Sequence, residues 1–196
     1  MFYDKVTRIL HWSFALLIPL QLLSESLMQR PKPERIRDDM QILFFEMHEW
    51  VGMLALMFVL IHLIWNLINP ESSWGRLYPY FSTESRSLLT DELKNKAPSW
   101  FKGQLATPNN KQYIAGAVHG LGLLLVLIMG VTGATMLYGM QDSGLMLGLT
   151  HDAKEVHEVL GGLVWLYIIG HVGMTILHML SGHSMLKRMF SLRTKQ

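Results

Sequence analysis

Four long apolar stretches alternate with polar connections along this chain, and they cover about residues 9–28, 42–68, 113–138 and 156–181. Each is long enough to cross a hydrocarbon core of about 30 Å as a helix. Segments 51–60 and 121–130 contain no charged residue, whereas a surface helix of a soluble protein carries charge on its outer face. The pattern predicts an all-α integral membrane protein, a four-transmembrane-helix bundle.

The polar connections predict the topology. One transmembrane domain is expected over residues 1–196, with a loop at about 69–112 that contains a short surface helix at 83–93. If the N-terminus is inside, the inner segments carry twelve Lys and Arg and the outer segments five. The excess of basic residues predicts that both termini and the long loop are cytoplasmic.

Composition narrows the chemistry that these helices can carry. Half of the 196 residues are apolar, only 16% are charged, and there is no cysteine. Disulfide bonds, thiolate-bound iron–sulfur clusters and haem attached through a CxxCH motif are therefore excluded. Any redox centre needs other ligands.

One polar pattern occurs twice inside the apolar stretches: His-Glu-x-x-Gly, with a second histidine fourteen residues after the first. The two copies are His48, Glu49, Gly52 and His62, and His157, Glu158, Gly161 and His171. Fourteen helical residues place both imidazoles of a copy on one face, about 21 Å apart along the axis. The pattern predicts histidines at two depths on two helices.

Two further histidines extend the repeat. His11 precedes His48 by 37 residues, and His119 precedes His157 by 38. Each half of the chain therefore has a helix with one histidine followed by a helix with two, which indicates two hairpins related by an approximate twofold axis along the membrane normal. The predicted outer layer holds the first histidine of each copy. The inner layer holds His11, His62, His119 and His171.

Six histidines in matched layers indicate function, because ionisable groups within a membrane are costly. A zinc hydrolase of the HExxH type is not expected, since the HExxG sequence lacks the second histidine of that motif. A proton or ion transporter is a remote alternative, since no carboxylate lies midway along an apolar stretch. The carboxylates near the apolar stretches instead cluster at the outer ends, at Glu46, Glu49, Glu155 and Glu158.

Haem suits the pattern best. Its iron takes one neutral imidazole on each side, and facing helices of a bundle supply them. Gly52 and Gly161 lie four residues after the outer histidines, where we expect them to make room for the macrocycle. Gly130 and Gly133 are candidates for the same role or for close helix packing. Iron with two histidine ligands leaves no site for oxygen, so two haems at two depths predict electron transfer.

The chain also resembles a known family, the prokaryotic cytochrome b561 family. The similar segments are Arg8-Ile9-Leu10-His11-Trp12, the helix starts at His48 and at His157-Glu158, and His171 to His178 followed by Leu186-Lys187-Arg188-Met189. The same plan resembles the b-type cytochrome subunits of nickel–iron hydrogenases and formate dehydrogenases. Only the 69–112 loop lies outside the resemblance.

The resemblance implies the axial ligands. In that family the outer haem lies between the first histidines of helices two and four, here His48 and His157. The inner haem lies between the helix-one histidine and the second histidine of helix four, here His11 and His171. Two haem b groups per chain are therefore expected.

The remaining histidines keep alternatives open. His62 stands where comparable small cytochromes often carry a basic residue such as arginine. It either contacts a haem propionate or a quinone, or faces His171 as an axial ligand. A third haem between His62 and His119 would also be compatible with the spacing. His119 and His178 are candidates for contact with a propionate or a quinone, or are plain interfacial histidines.

The resemblance also implies a function. It is that of a di-haem b-type cytochrome in the bacterial inner (cytoplasmic) membrane, transferring electrons between a periplasmic-side redox partner and the quinone pool. Such a chain acts alone as a quinone-linked oxidoreductase, or it is the membrane-anchor cytochrome b subunit of a larger hydrogenase- or dehydrogenase-type complex. Expected partners are the lipid bilayer, a quinone, and a periplasmic donor or acceptor such as a cytochrome c or a catalytic subunit. No nucleic-acid partner and no catalytic residue are expected.

Overall fold

The computed structural model describes residues 4–69, 74–100 and 112–182, and within these ranges every regular element is helical. In chain order the helices are α1 (Lys5–Leu27), α2 (Asp39–Ile68), α3 (Trp74–Leu77), a 3₁₀ turn (Pro79–Phe81), α4 (Thr83–Trp100), α5 (Tyr113–Gly139) and α6 (Leu149–Leu180). The expectation of an all-α chain is confirmed.

Four of these helices, α1, α2, α5 and α6, are long and apolar enough to cross a membrane. Large apolar side chains cover their surfaces. On α6, for example, Val159, Leu166 and Ile169 are 72%, 68% and 65% exposed. Side chains of this kind are stable on the outside of a helix when lipid rather than water surrounds it.

Two helices are longer than the hydrophobic pattern indicates. The predicted fourth stretch begins at residue 156, but α6 begins at Leu149, after Gly148 with its positive φ of 53°. Its first turns are polar, and Asp152 there interacts favourably with the positive end of the helix dipole. The loop helix α4 likewise continues from Thr83 to Trp100 rather than stopping near residue 93. Hydropathy marks the part of a helix within lipid, whereas backbone hydrogen bonding sets its length.

By their internal contacts, the described residues form two compact units, and each long helix contributes to both. The first unit comprises Ile9–His62 and Leu125–Leu166. Small residues bring its helices close together. A Cβ atom at Gly130 of α5 would lie 2.8 Å from the side chain of Leu56 on α2, so glycine permits this contact.

The second unit comprises the described parts of Met1–Arg8, Leu63–Leu124 and Tyr167–Gln196. Here α3 lies against the glycine face of α5. The Arg76 carbonyl carbon would lie 2.9 Å from a Cβ at Gly116, and the Leu77 carbonyl occupies the corresponding place at Gly120. The Tyr80 hydroxyl donates a hydrogen bond of 2.5 Å to the Ala117 carbonyl of α5. Helix α3 and Tyr80 are therefore packed onto α5, the span that follows them.

Candidate functional site

The first histidines of the two copies face each other in the first unit. The ring centres of His48, on α2, and His157, on α6, are 6.3 Å apart, and the ring planes cross at 77°. An iron held between two imidazole nitrogens at about 2 Å each would leave the ring centres roughly 6 Å apart. This pair therefore has the separation that axial ligation of haem requires.

Hydrogen bonds orient the His48 ring. Its Nδ1 atom lies 3.2 Å from the Ser24 hydroxyl and 3.3 Å from the Gln21 carbonyl, both on α1. Because a carbonyl oxygen only accepts hydrogen bonds, Nδ1 carries the hydrogen in this arrangement. The lone pair of Nε2 is then available for a metal.

The His157 ring is held in the same way from α5. Its Nδ1 atom lies 2.9 Å from the Thr132 hydroxyl. Gly133 gives the ring room, since a Cβ there would lie 3.3 Å from its Cε1 atom. Both rings of the pair are therefore orientated by the helix that precedes their own.

Sequence reasoning missed Ser24 and Thr132, because hydroxyl residues within apolar helices are common. A signal was present in the spacing. Ser24 follows His11 by thirteen residues, and Thr132 follows His119 by the same number. The internal repeat therefore includes the hydroxyl residues as well as the histidines.

A second histidine contact lies in the second unit. The rings of His119, on α5, and His171, on α6, have centres 5.2 Å apart and are nearly perpendicular. Tyr167 stacks on His171 with a centre distance of 5.7 Å and an interplanar angle of 16°. The His119 Nδ1 atom lies 2.6 Å from the Ala115 carbonyl, which leaves its Nε2 directed away from its own helix backbone. His119 is thus positioned beside a predicted ligand.

The other predicted histidines have individual surroundings. His62 is buried, 8% exposed, and its ring lies 6.2 Å from that of Phe14 on α1. His11 lies one helical turn before Phe14, within the first unit, and His178 lies in the last turn of α6. Contact of these three histidines with a haem or a quinone stays a prediction.

The two glycines of the repeat differ. The Gln21 side chain occupies the space beside Gly52, and its Nε2 would lie 2.9 Å from a Cβ built at that glycine. The same Nε2 donates a hydrogen bond to the His48 carbonyl. Around Gly161 no atom lies within 4 Å of a Cβ position in the described part of the chain. The role of each glycine in packing against a haem stays a prediction.

Glu158, the acidic residue of the second copy, is held in ion pairs. Its carboxylate lies 2.5 Å from Arg30, in the connection after α1, and 3.1 Å from Lys154. The ion pair with Arg30 links the second copy to the connection after α1. Among the described residues no group of three or more His, Cys, Asp or Glu is placed to hold a metal ion.

A chain of apolar spanning helices with imidazoles facing in pairs has the architecture of helix bundles that hold a cofactor between facing side chains. A family model described as prokaryotic cytochrome b561 matches residues 2–192, and the chain belongs to this family. Membership implies a multi-pass membrane protein, embedded in the lipid bilayer, that carries haem b and transfers electrons. No curated protein and no solved structure matched the chain.

Proposed function

We propose that the chain is a di-haem cytochrome of the bacterial inner membrane that passes electrons between a periplasmic-side partner and the quinone pool. The observation that supports it most directly is the His48–His157 pair, with ring centres 6.3 Å apart between two candidate spans. In this proposal residues 1–196 act as one membrane domain with both termini in the cytoplasm.

Four histidines hold the two haems in this proposal. His48 and His157 bind the outer iron through Nε2, and their Nδ1 hydrogens stay bonded to α1 and α5. His11 and His171 bind the inner iron, an assignment that rests on the family resemblance. Haem supplies a one-electron redox centre when bound. His62, His119 and His178 would contact propionates or a quinone at the inner side.

The number of haems tests the proposal directly. A pyridine haemochrome assay on protein purified in detergent should give two b haems per chain. Absence of haem would contradict the proposal. A third haem would make His62 and His119 candidate axial ligands.

The role of His62 separates the two inner pairings. We expect His62→Ala to retain both haem spectra, and His11→Ala to lose the inner one, because His11 is the proposed ligand. Optical and electron paramagnetic resonance spectra of the two variants provide the measurement. Loss of the inner haem in His62→Ala, with retention in His11→Ala, would instead establish ligation by His62 and His171.

The alternative function is that of a membrane anchor for a separate catalytic subunit. Purification from native membranes distinguishes the membrane anchor from the self-contained oxidoreductase. Reduction of a quinone by the isolated chain supports a self-contained oxidoreductase, whereas a second subunit that stays bound and is required for activity supports the anchor. An uncoupled ion flux through a haem-free chain would point to the transporter alternative.

A further inference from the structure

Two hydroxyl groups lie beside the His48–His157 pair, and both donate their hydrogen to a backbone carbonyl of their own helix. Ser24 Oγ donates to the Gln21 carbonyl at 2.9 Å. Thr132 Oγ1 is 2.8 Å from the Ile128 carbonyl and 3.1 Å from that of Met129. A hydroxyl has a single hydrogen, and here it is committed to the backbone of its own helix. Each hydroxyl oxygen therefore meets the neighbouring imidazole as an acceptor.

Each Nδ1 atom thus faces a hydrogen-bond acceptor. For His48 the acceptors are the Ser24 hydroxyl and the Gln21 carbonyl. For His157 the acceptor is the Thr132 hydroxyl. Both imidazoles are consequently held as the Nδ1–H tautomer.

The arrangement is duplicated within the chain. Ser24 and Thr132 each follow the histidine of their own helix by thirteen residues. The two halves differ in sequence and loop length, and one uses serine where the other uses threonine. What they have in common is a hydroxyl at the Nδ1 atom of a histidine on the next helix. Ser24 is fully buried, so its hydroxyl is not there to contact solvent.

We propose that Ser24 and Thr132 are positioning residues for the iron between His48 and His157, a step that rests on the haem assignment proposed above. By accepting the Nδ1 hydrogens they keep both Nε2 atoms directed at one metal. They also make these nitrogens more basic. A more basic axial ligand stabilises ferric iron over ferrous iron, so the pair lowers the reduction potential of this haem relative to unassisted imidazoles.

Potentiometric titration of the full-length protein with both haems bound tests this inference. Ser24→Ala and Thr132→Val each remove one hydroxyl and should raise the midpoint potential of one haem, leaving the other unchanged. We expect a shift of a few-fold in the ferric/ferrous equilibrium, where a tenfold change is about 59 mV for one electron. The double variant should shift the same haem further.

Two hydroxyl residues on the same helices serve as matched controls. Ser13 bonds to the Ile9 carbonyl and Thr135 to the Val131 carbonyl. Ser13→Ala and Thr135→Val should leave both potentials unchanged. Thr132→Ser, which retains the hydroxyl, should keep the wild-type potential even if Thr132→Val binds haem poorly.

Three results would overturn the inference: unchanged potentials in both hydroxyl-free variants with haem bound, equal shifts in the controls, or a shift in Thr132→Ser as large as in Thr132→Val. Retention of both haems in His48→Ala would overturn the ligand assignment and this inference with it. Failure of this inference and failure of the ligand assignment are therefore distinguishable, since only the latter is detected as retention of both haems in His48→Ala.

Discussion

Tyr78 and Tyr80 are close in sequence, but their hydroxyl groups differ in hydrogen bonding. Tyr78 is 1% exposed, and its hydroxyl has no hydrogen-bond partner among the described residues. Tyr80 donates its hydroxyl hydrogen to the Ala117 carbonyl. A buried polar group without a partner costs about 1–3 kcal/mol, whereas a satisfied bond contributes about 1 kcal/mol. The same chemical change should therefore have opposite effects at the two positions.

We expect Tyr78→Phe to leave the protein as stable as the wild type or about 1 kcal/mol more stable, because it removes an unsatisfied hydroxyl. Tyr80→Phe should cost about 1 kcal/mol, because it removes a bond to α5. Thermal unfolding in detergent measures both, and each variant serves as the control for the other. Equal destabilisation by the two changes would contradict the explanation.

The burial of Tyr78 also predicts how the stability of the protein depends on pH. Burial raises the pKa of Tyr78 to about 12, while an unfolded tyrosine ionises near pH 10. The folded protein therefore retains a proton that the unfolded chain releases, so stability is complete below pH 10 and falls as the pH rises towards 12. Tyr78→Phe should flatten this loss between pH 10 and 12.

Among the helices, α4 acts on the start of α5. Glu92 Oε2 accepts hydrogen bonds from the backbone N–H groups of Tyr113 and Ile114, at 2.6 Å and 3.3 Å. These groups have no partner within their own helix, and a carboxylate there also interacts favourably with the helix dipole. Lys96, one turn further along α4, pairs with the same carboxylate. The loop helix therefore caps a candidate membrane span.

We expect Glu92→Ala to destabilise the protein by about 1 kcal/mol, the usual cost of removing an N-terminal cap. Asp91→Ala, at the exposed neighbouring position, is the control and should have little effect. Thermal unfolding in detergent provides the comparison. If both variants melted at the wild-type temperature, the cap would not contribute to stability.

The orientation of the whole molecule can be tested cleanly, because the natural chain has no cysteine. We expect a cysteine at Ile36, which is 95% exposed between α1 and α2, to react with a membrane-impermeant maleimide added to intact spheroplasts. A cysteine at Glu84, exposed at the start of α4, should react only after permeabilisation. The excess of basic residues in the predicted inner segments is the physical reason. The opposite labelling pattern would reverse the topology.

The local properties of the chain were readable from the sequence by itself. Apolar length predicted the four candidate spans, because burying a backbone in lipid requires long apolar helices. Histidine spacing predicted which imidazoles share a helix face, since a helix has a fixed period. The matching segments, from Arg8 to Met189, predicted the family that the match over residues 2–192 then confirmed.

Contacts between helices were decided only by the tertiary structure, because they depend on how each helix is rotated and displaced relative to its neighbours. The hydroxyl contacts of Ser24 and Thr132 and the contact of His119 with His171 are of this kind. The family resemblance implied that His48 and His157 pair, and the structure added the separation of their rings. So is the packing of α3 and Tyr80 onto α5. No periodicity along one helix specifies which atom of another helix its side chains will meet.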